Sequence, residues 1–456
     1  MKLRSLIVFL FIPLIGVTQS SDSVMLKKIY DNMLTESRCY GWLDYLSNKI
    51  GGRLSGSPEA ARAVEYVQME LKKLGADSVY LQEVMVPHWV RGGKEEAWIA
   101  IDGKKNPVTI CALGGSVATG EKGLSAQVVE VHDWEEMEKK GSAAINGKIV
   151  FMNHPMKPEF VNTFEAYGEA AKYRWGTASR AAKLGAVGVV VRSMTLAMDD
   201  YPHTGAMGYE DSIPKIPACA ISTKGAEYLS KSLRLSPGLV FGFKQQCMIL
   251  PDTLSHNVIA EIRGTEFPDE VIVVGGHLDA WDNGDGSHDD GAGVVQSMEV
   301  IRVLKALQIR PKRTIRCVAF MNEENGGRGG KKYAEQAAKS GQKNIAAIES
   351  DAGGFTPRGF TFKGDSVLRA SVMRHKELFY PYLLRDWRPG YGGADINHLE
   401  NQGTLLIGFS PDSQRYFDVH HAETDTFDKI NKRELELGAA SMAGLAWIIS
   451  EYGVKR

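Results

Sequence analysis

The chain has 456 residues, 43% of them hydrophobic, which is too long for one ordinary domain and apolar enough to fill two or three cores. Its formal net charge is −1 and no basic run could follow a phosphate backbone, so composition argues against a nucleic-acid partner. Small-molecule or peptide ligands fit this balance of charge better.

The first twenty residues have the pattern of a secretory signal peptide. Lys2 and Arg4 precede the apolar residues 6–17, and small or polar residues follow. A membrane anchor is the alternative, but this apolar run is too short to span a bilayer comfortably and no second one follows. We therefore expect residues 1–20 to be removed and the mature chain to be exported to the extracellular space or periplasm, with no membrane span.

The five cysteines are odd in number and show no CxxC spacing. At least one must be unpaired, and nothing in the spacing indicates a metal or redox motif. We interpret them as structural residues and leave a disulfide open: Cys39, Cys111, Cys219, Cys247 and Cys317.

The residues before 251 show two different patterns of predicted helices and strands. Helices are predicted near residues 22–33, 40–49 and 58–74, the last capped by Ser57 and stopped by Gly75, and strands at 78–86 and 96–101. From about Cys111, short strands separated by glycines follow at 126–131, 147–152, 186–191 and 216–222. The apolar residues of 194–213 recur with neither a helical nor a strand period, which predicts a long loop that could lie over a site.

From residue 254 onward strands and helices alternate. Strands are predicted at 257–262, 271–274, 314–320, 344–348 and 403–409, and a final helix at 431–452 with Asn431 and Glu434 as a capping pair. This alternation predicts an α/β fold with a mostly parallel sheet and helices on both faces. Ligands of such sheets gather at the carboxyl ends of the strands.

Polar clusters follow the predicted strands of this second half. Any one of them is more often a solvated loop or a helix cap than a metal site, but their joint occurrence at the strand ends of one sheet indicates a shared centre. Histidines and carboxylates are ligands that suit zinc, and two histidines with three carboxylates are enough for two ions that share one carboxylate. The clusters are His277 with Asp279, Asp289 with Asp290, Glu323 with Glu324, Glu349 with Asp351, and His420 with His421.

These motifs resemble the di-zinc exopeptidase family that contains the bacterial aminopeptidases and the glutamate carboxypeptidases. The likeness spans most of the mature chain and rests on "GGRLSGSPEAARAVEYV", "GGHLDAWDNGDGSHDDGAG", "NEENGG", "ESDAGG" and "HHAETDT". The segments "GKIVFM", "AAKLGAVGVVV" and "IPACAIS" resemble a protease-associated domain, with an ordinary α/β subdomain as the alternative. The resemblance implies a catalytic domain at 21–110 and 251–456, with a protease-associated domain inserted at 111–250.

The resemblance also implies a role for each residue of the clusters. Asp289 bridges two zinc ions, His277 and Asp351 complete one set of ligands, and Glu324 and His421 complete the other. Glu323 is the general base, and the carboxylate of Asp279 orients His277.

Other positions near the clusters carry weaker expectations. Asp290 shapes the turn, with a cis peptide bond to Asp289, and Glu349 is the fallback for Asp351. His420 either donates a hydrogen bond to the reaction intermediate or has no role. No function is assigned to six histidines: His88, His132, His154, His203, His256 and His375.

The expected function is that of a secreted zinc exopeptidase that hydrolyses short peptides, above all dipeptides with free termini. A general di-zinc aminopeptidase is the alternative. A non-catalytic receptor-like scaffold conflicts with the complete ligand set, and a glutaminyl cyclase-like acyltransferase conflicts with the insert. A lid around residues 194–209 would select short chains, and the resemblance suggests a homodimer. Side-chain specificity is not determined by the sequence.

Overall fold

The computed structural model describes residues 21–455, so the predicted signal peptide lies outside the described residues. Its strands form two separate sheets. In chain order they are β1 Ser78–Val90, β2 Glu96–Ile101, β3 Lys104–Pro107, β4 Ile110–Ala112, β5 Leu124–Val131, β6 Ile149–Met152, β7 Gly188–Arg192, β8 Ala218–Ile221, β9 Val240–Lys244, β10 Met248–Ile262, β11 Phe267–His277, β12 Arg313–Phe320, β13 Lys343–Glu349, β14 Pro357–Lys363, β15 Asp386–Pro389 and β16 Leu405–Pro411.

Helices flank both sheets. The α-helices are α1 Ser21–Glu36, α2 Cys39–Tyr45, α3 Pro58–Lys73, α4 Trp134–Ile145, α5 Thr163–Lys183, α6 Thr223–Leu235, α7 Ala292–Ala306, α8 Arg328–Lys339, α9 Ser366–Met373, α10 Tyr416–Val419 and α11 Lys432–Tyr452. Shorter turns of 3₁₀ or π type lie at Leu46–Ile50, Ser287–Gly291, Lys376–Tyr382, Ile396–Gln402 and Phe427–Lys429.

The first sheet has the order β1-β10-β12-β11-β13-β16-β14-β15. Its centre, β12-β11-β13-β16, is parallel, whereas β1 and β10 pair antiparallel on one side and β14 pairs antiparallel with β16 on the other. The predicted parallel sheet is therefore present at the centre. The carboxyl ends of β11, β12 and β13 lie side by side, which places the residues that follow them at one edge of the sheet.

Strand β11 shows why both faces of this sheet are covered. Val271 and Val273 pack in the cluster that includes Tyr333 of α8, whereas Ile272 and Val274 pack in the larger cluster with α7 and α11. Successive side chains of a strand point to opposite faces. Because all four are apolar and fully buried, the sheet must carry helices on both sides.

The second sheet lies within residues 96–244 and has the order β3-β2-β9-β5-β6-β7-β8-β4. Its strands β5, β6, β7 and β8 are parallel, and α4, α5 and α6 accompany them. We call these residues the second-sheet unit. Residues 194–213 have no helix or strand, as expected, apart from the bridge between Gly114 and Ala206.

Several local expectations need correction. Strands β14 and β15 were not predicted, and the Asn431–Glu434 pair caps α11 from one side only. The Asn431 side chain accepts hydrogen bonds from the backbone N–H groups of Arg433 and Glu434, but the Glu434 carboxylate accepts from the Thr356 hydroxyl instead of turning back. All five cysteines are free and buried, so the disulfide left open is not formed. Within residues 21–455, no helix is both long and apolar enough to cross a bilayer.

Candidate metal centre and active site

The residues predicted as metal ligands come together at the carboxyl edge of the first sheet. His277 is the last residue of β11, Glu324 follows β12, and Asp351 follows β13, three strands that neighbour one another. Asp289 lies in the turn before α7, and His421 follows α10. The sheet topology thus brings together residues that are up to 144 positions apart in the chain, from His277 to His421.

Asp289 lies between two sets of side chains. Its Oδ1 atom is 3.1 Å from Nε2 of His277, which is 3.4 Å from Oδ1 of Asp351. Its Oδ2 atom is 3.3 Å from Nε2 of His421, which is 3.0 Å from Oε2 of Glu324. Each oxygen of one carboxylate therefore faces a different histidine and carboxylate pair. This is the arrangement that a bridging ligand requires.

The donor set fits metal ions. Among the described residues, three overlapping groups of three side chains have ligand atoms within 4.8 Å of one another. Two buried carboxylate oxygens, Oδ2 of Asp289 and Oε1 of Glu324, have no hydrogen-bond partner. Buried carboxylate oxygens without hydrogen bonds are costly, and bound cations would offset that cost here. The groups are Asp289 with His420 and His421, His277 with Asp290 and Asp351, and His277 with Asp289 and Glu324.

The carboxylates crowd one another in this buried site. Burial and the charge of Asp289 raise the pKa of Glu324 to about 7. Burial likewise raises the pKa of Asp351, and the pKa of Glu323 rises well above its usual range because of burial and the neighbouring charges of Asp351 and Glu324. Asp289 is the exception: although burial opposes its ionisation, hydrogen bonds from His277 and His421 hold its pKa well below its usual range. Acids crowded in this way are the electrostatic setting in which cations bind.

The carboxylate of Asp279 does not touch the His277 imidazole, which corrects the contact expected for it. The Nδ1 atom of His277 lies 2.9 Å from the backbone oxygen of Asp279. The side chain of Asp279 instead accepts hydrogen bonds from the backbone N–H of Asn322 at 2.7 Å, of Glu323 at 3.1 Å and of Glu324 at 3.4 Å. Asp279 therefore holds the glutamate pair in place, and its backbone carbonyl orients the histidine.

Asp290 and Glu349 bind backbone amides. The Asp289–Asp290 peptide bond is cis, as the resemblance implied, and Asp290 accepts from the N–H of His277 at 3.0 Å and of Gly293 at 2.9 Å. Glu349 accepts from the N–H of Ala394 at 2.6 Å and of Ile396 at 2.9 Å. Because the oxygens of Glu349 are engaged in this way, Asp351 is the better candidate ligand.

His420 lies directly beside two predicted ligands, His421 and Asp289. Its ring stacks on that of His421 with centroids 3.5 Å apart, and its Nε2 atom is 3.6 Å from Oδ2 of Asp289. The ring edge meets Tyr167 of the second-sheet unit. His420 is thus close enough to contact a ligand or a metal at this position.

Sequence reasoning did not single out two buried charged residues of the site. Arg53 is 0% exposed and donates to the carbonyls of Leu278, Asp285 and Gly286 at 2.6 to 2.9 Å, which ties the turn "GGRLSG" to the loop before Asp289. A lone arginine in a glycine-rich turn was the available signal.

The second missed residue is Asp425. It accepts from the N–H of His288 at 2.8 Å and of Asp289 at 3.0 Å, and so holds the backbone of the bridging residue. His203, to which no function was assigned, also reaches the site. Its Nδ1 atom lies 2.6 Å from the backbone oxygen of His420.

A cleft of about 710 Å³ opens beside Asp351. One wall comes from residues 388–393 of the first sheet, including Tyr391, and the other from residues 161–165 of the second-sheet unit, including Phe164. The cleft therefore lies between the first sheet and the second-sheet unit, and Asp351 is the candidate ligand that lines it.

Comparisons with known proteins agree with this fold and site. The model of peptidase family M28 matches residues 257–446. Carboxypeptidase Q of Xenopus laevis is 36% identical over 416 residues, which cover 91% of this chain and 86% of the relative. The chain belongs to peptidase family M28. The prediction that this chain is a zinc-dependent exopeptidase is thereby confirmed, and the chain is similar to carboxypeptidase Q.

Solved structures share the architecture. The crystal structure of a peptidase M28 precursor from Shewanella amazonensis has a TM-score of 0.90 and 32% identity, and the match covers 94% of this chain and 96% of that one. An aminopeptidase from Aneurinibacillus has a TM-score of 0.63 at 22% identity, with 96% and 98% covered, and shares the fold. The predicted α/β exopeptidase fold is confirmed.

Proposed function

We propose that the chain hydrolyses the peptide bond of short peptides, above all dipeptides with both ends free, with two zinc ions bridged by Asp289. The position of the Asp289 carboxylate, with one oxygen toward each histidine and carboxylate pair, is the observation that carries this proposal. A peptide as substrate follows from the family. The number of ions and the length of the peptide are the proposed parts.

The proposed ligand sets follow the two sides of Asp289. His277 and Asp351 would hold one ion, and Glu324 and His421 the other. When bound, zinc ions polarise a peptide carbonyl and lower the pKa of water at the site. His420 lies within 3.6 Å of Asp289 and is the proposed hydrogen-bond donor to the substrate.

Glu323 is the proposed general base. Asp279 accepts hydrogen bonds from the backbone N–H of both glutamates, which lie in the turn that follows β12. Glu324 points to His421, which leaves the half-buried Glu323 free to take a proton from the attacking water and pass it to the leaving amine.

The cleft supports a short substrate. It has a volume of about 710 Å³ and two walls, from the first sheet and from the second-sheet unit, and Asp351 lines it. The proposed lid, residues 194–209, belongs to the same second-sheet unit. Restriction by these walls would favour peptides of a few residues, whereas metal chemistry alone is indifferent to length.

A panel of substrates tests this proposal. Free dipeptides, amidated dipeptides, acetylated dipeptides and amino-acid anilides are compared by kcat/KM with added zinc. We expect free dipeptides to be cleaved best, with losses on blocking either end. Rapid cleavage of anilides and of long peptides from the N-terminus, with dipeptides no better, would instead identify a general aminopeptidase.

The remaining proposals concern organisation. We propose that residues 111–250 are a protease-associated domain inserted between the catalytic segments 21–110 and 251–456. The second-sheet unit, which spans residues 96–244, supports this division approximately. Export after removal of residues 1–20 and assembly as a homodimer are proposed as well, and N-terminal sequencing of the secreted chain and its mass in solution test them.

A further inference from the structure

A loop of the second-sheet unit lies against the backbone of the candidate ligand His421. This loop, residues 202–207, is called the clamp loop below. Within it the Nδ1 atom of His203 is 2.6 Å from the carbonyl oxygen of His420, and the N–H of Thr204 donates to the carbonyl oxygen of His421 at 2.9 Å. His203 is 3% exposed and Thr204 is 0% exposed, so water cannot readily replace either hydrogen bond.

The direction of the His203 hydrogen bond is set by its partner. A carbonyl oxygen can only accept, so Nδ1 of His203 carries the hydrogen and donates it. Its Nε2 atom is buried without a partner, so the ring makes this one hydrogen bond. The hydrogen bond of the His203 imidazole is therefore to the backbone of His420.

The backbone of His421 needs such support. Its φ is +60°, in the left-handed region that residues other than glycine seldom occupy. A strained conformation of this kind persists where the surrounding contacts hold it. The contacts at its carbonyl are the Thr204 N–H and the side-chain amide of Asn283, which donates at 3.1 Å.

The clamp loop is itself anchored in the second-sheet unit. The Thr204 hydroxyl donates to the carbonyl of Ala112, the last residue of β4, at 2.7 Å. Arg174 of α5 donates to the carbonyl of Ala206 at 3.3 Å. These contacts fix the clamp loop to the second-sheet unit. The position of that unit therefore determines where the loop holds the His420–His421 backbone.

We propose that the clamp loop positions the His420 and His421 imidazoles, so that the metal centre of the first sheet is completed by the second-sheet unit. This inference rests on the proposed role of His421 as a ligand. His203 is a positioning residue, because it acts through the His420 carbonyl. Loss of its hydrogen bond would let the His420–His421 segment relax and move the His421 ring away from Glu324 and Asp289.

Substitutions of His203 in the full chain test the proposal. The asparagine amide can occupy the place of Nδ1, the glutamine amide reaches the place of Nε2, and leucine has no donor. We expect His203→Gln and His203→Leu to weaken one of the two zinc sites about tenfold or more, and His203→Asn to restore most of that loss. Competition of the zinc-loaded protein with a chromogenic chelator measures zinc per chain and affinity without an activity assay.

His154 provides a matched control in the same unit. Its Nδ1 atom lies 2.7 Å from the carbonyl oxygen of His132, away from the metal centre. We expect His154→Leu to lower the melting temperature while leaving both zinc affinities unchanged. Equal zinc affinities in the wild type, His203→Asn and His203→Gln would overturn the positioning role. A wild-type chain that binds no zinc would instead overturn the proposed function itself, so the two failures are distinguishable.

Discussion

Removal of the Asp279 carboxylate is the sharpest test of how the site is held. Asp279 is 0% exposed and its side chain accepts from the N–H of Asn322 at 2.7 Å and of Glu323 at 3.1 Å, with a longer contact to Glu324. A buried donor left without its acceptor costs about 1–3 kcal/mol, so Asp279→Ala costs about 2–6 kcal/mol for the two shorter bonds. The lower end alone corresponds to about 30-fold in the equilibrium constant of unfolding.

We therefore expect Asp279→Ala to lower the free energy of unfolding by about 2–6 kcal/mol, to weaken the zinc ion proposed at Glu324 and, because Glu323 loses its support, to lower kcat. The ion proposed at His277 should be retained, because its Nδ1 partner is the backbone oxygen of Asp279, which alanine keeps. Kinetics with a dipeptide, zinc analysis after dialysis and urea unfolding give the three readouts.

Double variants identify which zinc ion is affected. We expect Asp279→Ala combined with Glu324→Ala to bind as much zinc as Glu324→Ala alone, whereas Asp279→Ala with Asp351→Ala should bind almost none. The reverse result would mean that the Asp279 carboxylate supports the His277 side, and the reasoning from its hydrogen bonds would be refuted. Asp365→Ala is the control, since Asp365 also accepts from two backbone N–H groups but at the N-terminus of α9, away from the site.

Three further predictions follow from single contacts. Asp289→Ala should release both zinc ions, and one ion retained at full occupancy would contradict the bridging position. Glu323→Gln should abolish turnover while zinc content stays unchanged, because the amide cannot accept the proton from water; zinc loss would identify it as a ligand. Gly114→Ala should lower stability by about 1–3 kcal/mol in urea unfolding, since its Cβ would lie 1.8 Å from the Trp281 ring, whereas Gly41→Ala, with open space around it, should not.

The central strands could be predicted because the residues that favour a strand lie within each strand itself. Residues 271–274 are β-branched and buried on both faces, and glycines follow them where the chain passes close to other backbone. Strands β14 and β15 escaped prediction because Pro357, Gly359 and Pro389 weaken the strand pattern. Gly359 is nonetheless required there, since a Cβ would meet the backbone oxygen of Asp386 at 1.8 Å.

The sequence by itself determined the chemistry of the site and its place in the fold. Histidines and carboxylates directly after the strands of an α/β pattern must gather at one edge of a parallel sheet, whatever the order of those strands. Strand-end patterns located the clusters, and the family resemblance selected from them the five residues that the structure brings together: His277, Asp289, Glu324, Asp351 and His421.

Only the tertiary structure decided what holds these residues in place. The carboxylate of Asp279 could have turned to the His277 ring or to the glutamate backbone, and the choice depends on the distance between β11 and β12. The contact of His203 with His420 joins residues 217 positions apart and depends on how the two sheets pack. Sequence patterns report the type of residue and its neighbours along the chain, whereas hydrogen bonds between distant segments depend on distances that exist only in the folded molecule.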